Sequence, residues 1–222
     1  SEFVMNESAV PSAESLRAWL DQADVYLIDQ VMKRRVEPGM RVLDVGCGTG
    51  RNLPLLARLG CDLRAIDPDP QALEVARDRL ARVHVEFEDR EWNDRFRCQT
   101  IDDGLPAASA DVVLCVAVLH FATTSDEFQR WLEVVWSAVA PGGLLFIRTA
   151  SSLGLAAQIE QLEGGQSLLP TGEVRLFLGL DDVLVSTETL GGKLLDPLKS
   201  TNVQDQRAMW TWVLERPLLH SR

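Results

Sequence analysis

The sequence predicts a doubly wound α/β fold, and three observations predict it. Apolar runs of strand length alternate with stretches of helical period from residue 41 to residue 150, the order that builds a parallel sheet covered by helices. One of those runs, Ala110 to Val116, is apolar almost throughout, as a strand buried on both faces has to be. The third is the stretch 42–52, in which an apolar strand carrying Asp44 breaks into Gly46, Gly48 and Gly50 and gives way at once to a helix pattern.

Each element has its own signal. Residues 12–35 read as one long helix, opened by Pro11 and Ser12, with Leu16, Trp19, Leu20, Ala23, Leu27, Ile28 and Val31 on one broad face and Glu37-Pro38-Gly39 as the stop. After the glycine turn, Leu53, Leu56 and Ala57 form a helical stripe that Gly60 ends. Cys61 to Ile66 is a short strand finishing at Asp67, and Asp69 as N-cap with Pro70 at the first position opens a helix bearing Leu73, Ala76, Leu80 and Val83. Residues 84–95 are charged and aperiodic and read as helix tail and loop, with His84 on the surface. Phe96 to Ile101 is the third strand and Ala110 to Val116 the fourth. Phe128, Trp131, Leu132, Val135, Trp136 and Val139 mark a core-facing helix closed by Pro141-Gly142-Gly143, and Leu144 to Ile147 is the fifth strand. The pattern weakens over 154–172, punctuated by Gly164-Gly165 and Pro170, and reads as a substrate-side insertion. Leu176 to Leu190 is helical. Lys193 to Leu198 and Arg207 to Glu215 are strands with no room between them for a crossover helix, so they pair antiparallel.

The chain has 222 residues, 46% hydrophobic and 25% charged, which suits one soluble domain over 5–222, with residues 1–4 ahead of Met5 read as a cloning scar. Its 33 acidic and 22 basic residues leave a formal charge of -11 and no basic run, which argues against nucleic acid and anionic membrane surfaces as partners. Cys47, Cys61, Cys98 and Cys115 form no C-x-x-C pair, there is no metal-ligand spacing, and no apolar run reaches membrane-span length. These features lead to the expectation of a cytoplasmic protein with reduced thiols and no metal; oligomeric state is left open by the pattern.

Two carboxylates carry chemical information. Glycines at a strand-to-helix turn let backbone approach a ligand closely, but the spacing here is Gly-x-Gly-x-Gly and not the dinucleotide Gly-x-Gly-x-x-Gly. Asp44, two residues before the first glycine, would repel a pyrophosphate and suits a cationic ligand. Asp67 lies 21 residues after Gly46, where nucleotide-binding α/β folds place an acid on the ribose hydroxyls.

Leu43-Asp44-Val45-Gly46-Cys47-Gly48-Thr49-Gly50 resembles motif I of the class I S-adenosylmethionine-dependent methyltransferases, whose ligand carries a sulfonium and an ammonium and no phosphate. The resemblance extends over residues 12–216 and looks most like small bacterial enzymes of the tellurite-resistance and thiopurine type. It implies a seven-stranded Rossmann-like sheet with an antiparallel last strand, S-adenosylmethionine as cofactor and S-adenosylhomocysteine as product. It also implies cofactor contacts from Asp44, Gly46, Cys47, Gly48, Thr49, Gly50, Asn52, Asp67 and Pro68. Ile101 and Asp102, with Asp103 as an alternative, would meet the adenine, and Cys115, Val116 and Ala117 would close the site from the fourth strand. The leading helix would form a lid over the cleft, lending Trp19 and Tyr26. The Asp/Asn-Pro-Pro-aromatic and Pro-Cys signatures of DNA methyltransferases are missing after the fourth strand, where the chain reads Cys115 to Phe121, so the resemblance points to a small-molecule acceptor.

Methyl transfer from a sulfonium needs alignment of donor and acceptor more than acid-base machinery. His120 is the one candidate general base, with ordering of its loop as the competing role. Phe121 and Arg148 join the candidate acceptor residues. Arg148, Lys199, Asn202, Gln206 and Arg207 could receive an anionic acceptor or pair with the surplus acids. A non-catalytic S-adenosylmethionine-binding module and a nucleotide-dependent oxidoreductase are the rival classes.

Overall fold

A computed structural model describes residues 13–218 except 21, 156, 158, 163, 164 and 170. The readings placed on residues 1–4, Pro11, Ser12, Gly164 and Pro170 lie outside the described residues. The helices are α1 (Ala13–Leu20), α2 (Val25–Met32), α3 (Leu53–Leu59), α4 (Pro70–Ala81), α5 (Asp89–Arg95), α6 (Ser125–Ala138) and α7 (Leu180–Thr189). The strands are β1 (Arg41–Val45), β2 (Asp62–Asp67), β3 (Phe96–Cys98), β4 (Ala110–Val116), β5 (Val139–Ala150), β6 (Glu160–Gln161), β7 (Gln166–Leu168), β8 (Val174–Leu176), β9 (Lys193–Leu194), β10 (Lys199–Val203) and β11 (Arg207–Glu215).

The main sheet runs β10-β11-β5-β4-β1-β2-β3, with β9 added on β11. Pairing is parallel from β3 to β5, and β11 is antiparallel to both β5 and β10. This is the doubly wound α/β sheet that the residue pattern predicts, with the reversed last strand that the resemblance implies. The order reverses between β1 and β4, so a crevice opens at the strand C-termini there, the place where such sheets take ligands.

Alternation along the strands builds two cores. Val113, Cys115, Leu145, Ile147 and Trp212 pack under α6 and α7, while Val112, Leu114, Val116, Leu144 and Phe146 pack under α2, α3 and α4. That two-sided burial is why β4 reads as an unbroken apolar run.

Several boundaries differ from the sequence reading for identifiable reasons. The single helix expected over 12–35 is two helices, because Asp24 adopts an extended conformation and caps the second, its side chain accepting from Tyr26 N. None of the residues of α1 is buried, so the broad apolar face holds only for α2. The loop expected over 84–95 contains α5, whose one buried residue, Trp92, stacks on Phe96 at 4.0 Å; seven residues with a single anchor show no period. The third strand stops at Cys98, and Ile101–Asp103 is a 3₁₀ turn in which the Asp103 carboxylate accepts from Thr100 N. Pro141-Gly142-Gly143 does not close α6 but lies inside β5, where a Cβ on Gly143 would stand 2.8 Å from the Asp111 carbonyl. The segment 154–172 carries β6 and β7 of a small three-stranded antiparallel sheet, and β8 takes the start of the expected Leu176 helix. Of the strand expected at Lys193 to Leu198 only Lys193–Leu194 forms one, β9, the longer antiparallel partner of β11 being β10, just beyond it. Among the described residues no helix is long and apolar enough to cross a membrane.

Candidate active site

The parallel register brings three strand ends together: Val45 pairs with Ile66 on one side and with Cys115 on the other, and Val116 pairs with Arg148. Asp44, Asp67 and Val116 therefore surround the glycine turn. Gly46 N and Cys47 N both donate to Ile66 O, at 2.8 and 3.0 Å, and Gly48 N donates to Asp67 Oδ2 at 2.7 Å. Gly46 has φ +68° and a Cβ there would run into the Val118 side chain, so glycine is required twice over. Gly50, at φ +72°, faces α4, where its Cβ would lie 2.7 Å from that of Ala76.

The turn encloses a cavity of about 400 Å³. Asp44, Gly46, Cys47, Gly48, Thr49, Asn52, Asp67, Pro68, Val116 and Ala117 line it, joined by Arg51, Val118 and Phe121. Four other sequence candidates lie outside its wall. Gly50 packs on Ala76, Cys115 is wholly buried in the strand, Ile101 is in the core, and the Asp102 carboxylate accepts from Trp131 Nε1 at 3.0 Å and pairs with Arg130 on α6.

Asp44 is 1% exposed and its Oδ2 has no hydrogen-bond partner. Burial pushes its pKa up to about 7, the neighbouring Arg51 charge pulling it down and Asp67 pushing it up. A buried carboxylate at a cavity wall with an open oxygen is a place for a cationic group. Asp67 accepts from Gly48 N and, through Oδ1, from Asp69 N at 2.9 Å, which leaves lone pairs on both oxygens for hydroxyl donors. Two carboxylates disfavour a phosphate here. The two acceptors fit S-adenosylmethionine, whose ammonium and ribose hydroxyls would donate to Asp44 and Asp67.

A second cavity of about 450 Å³ adjoins the first and shares Arg51, Val116, Ala117 and Phe121 with it. His120, Arg148, Arg175 and Phe177 also line it. Ala117, at the seam, holds a positive φ of 61° and donates its N–H to Arg148 O at 2.8 Å. His120 is 6% exposed with Nδ1 unpartnered, its ring 4.8 Å from that of Phe121; burial, and secondarily the Arg175 charge, lowers its pKa to about 4. Arg148 lies over the Tyr26 ring at 4.3 Å and donates from Nη1 to Thr211 Oγ1 at 2.8 Å. Tyr26 itself is tied to Thr201 Oγ1 at 2.6 Å and stands behind Arg148, while Trp19 is 43% exposed on α1 and outside both cavity walls.

Asp24, like Arg51, Arg175 and Phe177 in the same wall, is a residue that sequence reasoning missed. It is 7% exposed, donates its backbone N–H to Asn52 Oδ1 at 2.9 Å, pairs through Oδ2 with Arg51 at 3.0 Å and stands 3.9 Å from Arg148 Nε. One carboxylate thus ties α2, the glycine turn and β5 together at the boundary between the cavities. The available signal was an acid ahead of a second apolar run, an N-cap pattern inside the stretch read as continuous helix.

A family model described as a methyltransferase domain matches residues 43–147. An ubiquinone biosynthesis O-methyltransferase of Xanthomonas axonopodis pv. citri is 33% identical over 187 residues, covering 77% of this chain and 73% of the relative. One of Methylocella silvestris is 36% identical over 122 residues, covering 54% of this chain and 43% of the relative. The chain spans about half the length of the first curated relatives it matches, 43% and 58% of the first two. Among solved structures, a Burkholderia thailandensis 1,6-didemethyltoxoflavin-N1-methyltransferase with bound 1,6-didemethyltoxoflavin and S-adenosylhomocysteine shares the fold with a TM-score of 0.63 at 14% identity, covering 92% of this chain and 83% of that one. An S-adenosylmethionine-dependent methyltransferase of Mesorhizobium loti does so with a TM-score of 0.65 at 18% identity, covering 89% and 100%. With the glycine turn, its paired carboxylates and this sheet order in place, the chain belongs to the class I S-adenosylmethionine-dependent methyltransferases.

Proposed function

We propose that this chain methylates a small-molecule acceptor held in the larger cavity, and that His120 takes the acceptor's proton. The observation that carries this reading is the shared wall of Arg51, Val116, Ala117 and Phe121, which puts anything in one cavity against anything in the other. Bound in the smaller cavity, S-adenosylmethionine supplies a methyl group on a sulfonium, open to in-line displacement by an acceptor atom. Asp44 would hold the ammonium, Asp67 the ribose hydroxyls, and the Gly46 to Thr49 backbone the methionyl portion.

His120 is the one buried imidazole in the acceptor wall. With its pKa lowered to about 4 it is neutral at physiological pH and a weak base, and in the tautomer that leaves the unpartnered Nδ1 bare that nitrogen can accept a proton from a hydroxyl or amine. The segment 154–172 is the substrate-side insertion in this reading, because Leu169 lines the acceptor cavity together with Glu173, Arg175 and Phe177 just beyond it. The toxoflavin enzyme, crystallised with 1,6-didemethyltoxoflavin, and the ubiquinone enzymes, which are O-methyltransferases, support a small acceptor here. A net charge of -11 supports the same exclusion of nucleic acid.

The test couples calorimetric titration with S-adenosylhomocysteine to a methyl-transfer screen of phenols, thiols and amines with labelled cofactor, on the wild type and on His120→Gln. The expected result is tight S-adenosylhomocysteine binding to both proteins and a fall of about 10²-fold or more in kcat for the variant. Binding without transfer to any acceptor would make the chain a cofactor-binding module. Equal kcat in both proteins would leave His120 a packing residue.

A further inference from the structure

We propose that the acceptor is a planar aromatic molecule carrying a carboxylate or similar oxyanion, and that Arg148 receives the anionic group with Arg207 guiding it from the mouth of the cavity. The inference rests on the assignment of the larger cavity to the acceptor and names the class of molecule that fits it.

Charge is the first argument. In a chain of net charge -11, this cavity is lined by Arg51, Arg148, Arg175 and Arg207 against only Asp24 and Glu173. Asp24 is taken by Arg51 at 3.0 Å and Glu173 by Arg175 at 3.3 Å. Arg148 is left with Asp24 at 3.9 Å, and Arg207 has no ion-pair partner among the described residues. A cavity with this surplus focuses a positive field inside an acidic protein, which selects anions by attraction and by rate of entry.

The second argument is that Arg148 is built as a receptor. It is 9% exposed and therefore costly to bury as a bare cation, yet its Nε has no hydrogen-bond partner. The guanidinium is fixed in place by the Tyr26 ring at 4.3 Å and by Thr211 Oγ1 at 2.8 Å, and Tyr26 is in turn fixed by Thr201. A planar donor array held rigid, desolvated and incompletely bonded matches the geometry of a carboxylate or other oxyanion. The third argument concerns the rest of the wall. Phe121, Phe177, Leu169 and Met209 offer an apolar surface for a ring, and Arg175 stacks over Phe121 at 4.5 Å. An anion bound near Arg175 would also relieve the repulsion that this arginine exerts on the His120 imidazolium, making the base stronger when acceptor is present.

The experiment is calorimetric titration of the whole chain, with and without saturating S-adenosylhomocysteine, using matched pairs of probes: benzoate, 3-hydroxybenzoate and 3-hydroxycinnamate, each beside its methyl ester. At least one acid should bind about 10-fold or more tightly than its ester, and its affinity should fall with added salt. Arg148→Gln should lower the affinity for the acid by about 10- to 100-fold while leaving the ester and S-adenosylhomocysteine unchanged. Arg207→Glu, an exposed change that leaves folding intact, should lower acid affinity and its salt dependence in the same direction. Equal binding of acids and esters, no binding of any acid, or parallel losses for acid and ester in the variants would overturn the proposal. Failure of the wild type to bind S-adenosylhomocysteine would instead strike the methyltransferase reading, and the acid-against-ester comparison made without it would still stand or fall by itself.

Discussion

Asp44→Asn should make the ligand-free protein more stable and the cofactor bind worse. Asp44 is fully buried, and its pKa rises from the ordinary 3.8 to about 7, with desolvation the largest cause. A carboxyl whose folded pKa lies above its unfolded one favours folding most at low pH, and the contribution is lost as pH rises from 3.8 through about 7. A shift of that size, at 1.36 kcal/mol per unit, amounts to about 4 kcal/mol of destabilisation above pH 7. Asparagine keeps the shape and escapes that charge. Urea denaturation of both proteins should therefore give a difference in unfolding free energy near zero at pH 4 and a gain of a few kcal/mol for the variant at pH 8. A cationic ligand reverses the preference, since it stabilises the ionised form. Wild-type affinity for S-adenosylhomocysteine should weaken by about 10-fold per unit as pH falls below 7, with a proton released on binding, whereas the variant should bind weakly and with a flat profile. A variant no more stable at pH 8, or a wild-type affinity independent of pH between 5.5 and 7.5, would refute the assignment of Asp44 as a strained, ligand-directed charge.

Two further substitutions probe the turn around it. Gly46→Ala should lower stability by about 2–4 kcal/mol in thermal unfolding, from the left-handed φ of 68° and the collision with Val118, and pairing it with Val118→Ala should restore the part due to the collision. Asp67→Asn should keep one backbone acceptor and fold normally while weakening S-adenosylhomocysteine about 10-fold; Asp67→Ala should also lower the melting temperature, because Gly48 N and Asp69 N both lose their partner.

The parts of the site that were legible in the sequence are those whose chemistry is local. Gly46, Asp44 and Asp67 announce themselves through spacing, because a sharp turn needs glycine and a strand tip projects its acid into the crevice. The alternation of strands and helices over 41–150 was legible for the same reason, most of those elements carrying their own period. What escaped was decided by partners far away in the chain. The resemblance put Asp102 at the adenine, and Arg130 and Trp131, 28 and 29 residues later, engage its carboxylate. Asp24 looked like one polar position in a long helix, and only the approach of Asn52, Arg51 and Arg148 gives it a site at all. Arg175 belongs to a three-residue strand whose alternation is too short to read.

Asp24 also explains how one crevice can serve two opposite charges. The smaller cavity carries Asp44 and Asp67, the larger carries Arg148, Arg175 and Arg207, and both linings meet at Arg51. Unshielded, those arginines would pair with the acids and compete with a cationic cofactor for Asp44, on which Arg51 already acts. The Asp24 carboxylate, 3.0 Å from Arg51 and 3.9 Å from Arg148, neutralises the charge at the seam, so the acids remain free for a cation and the outer arginines for an anion. Because Asp24 is also the cap of α2, the start of that helix and the charge at the seam between the cavities depend on the same side chain.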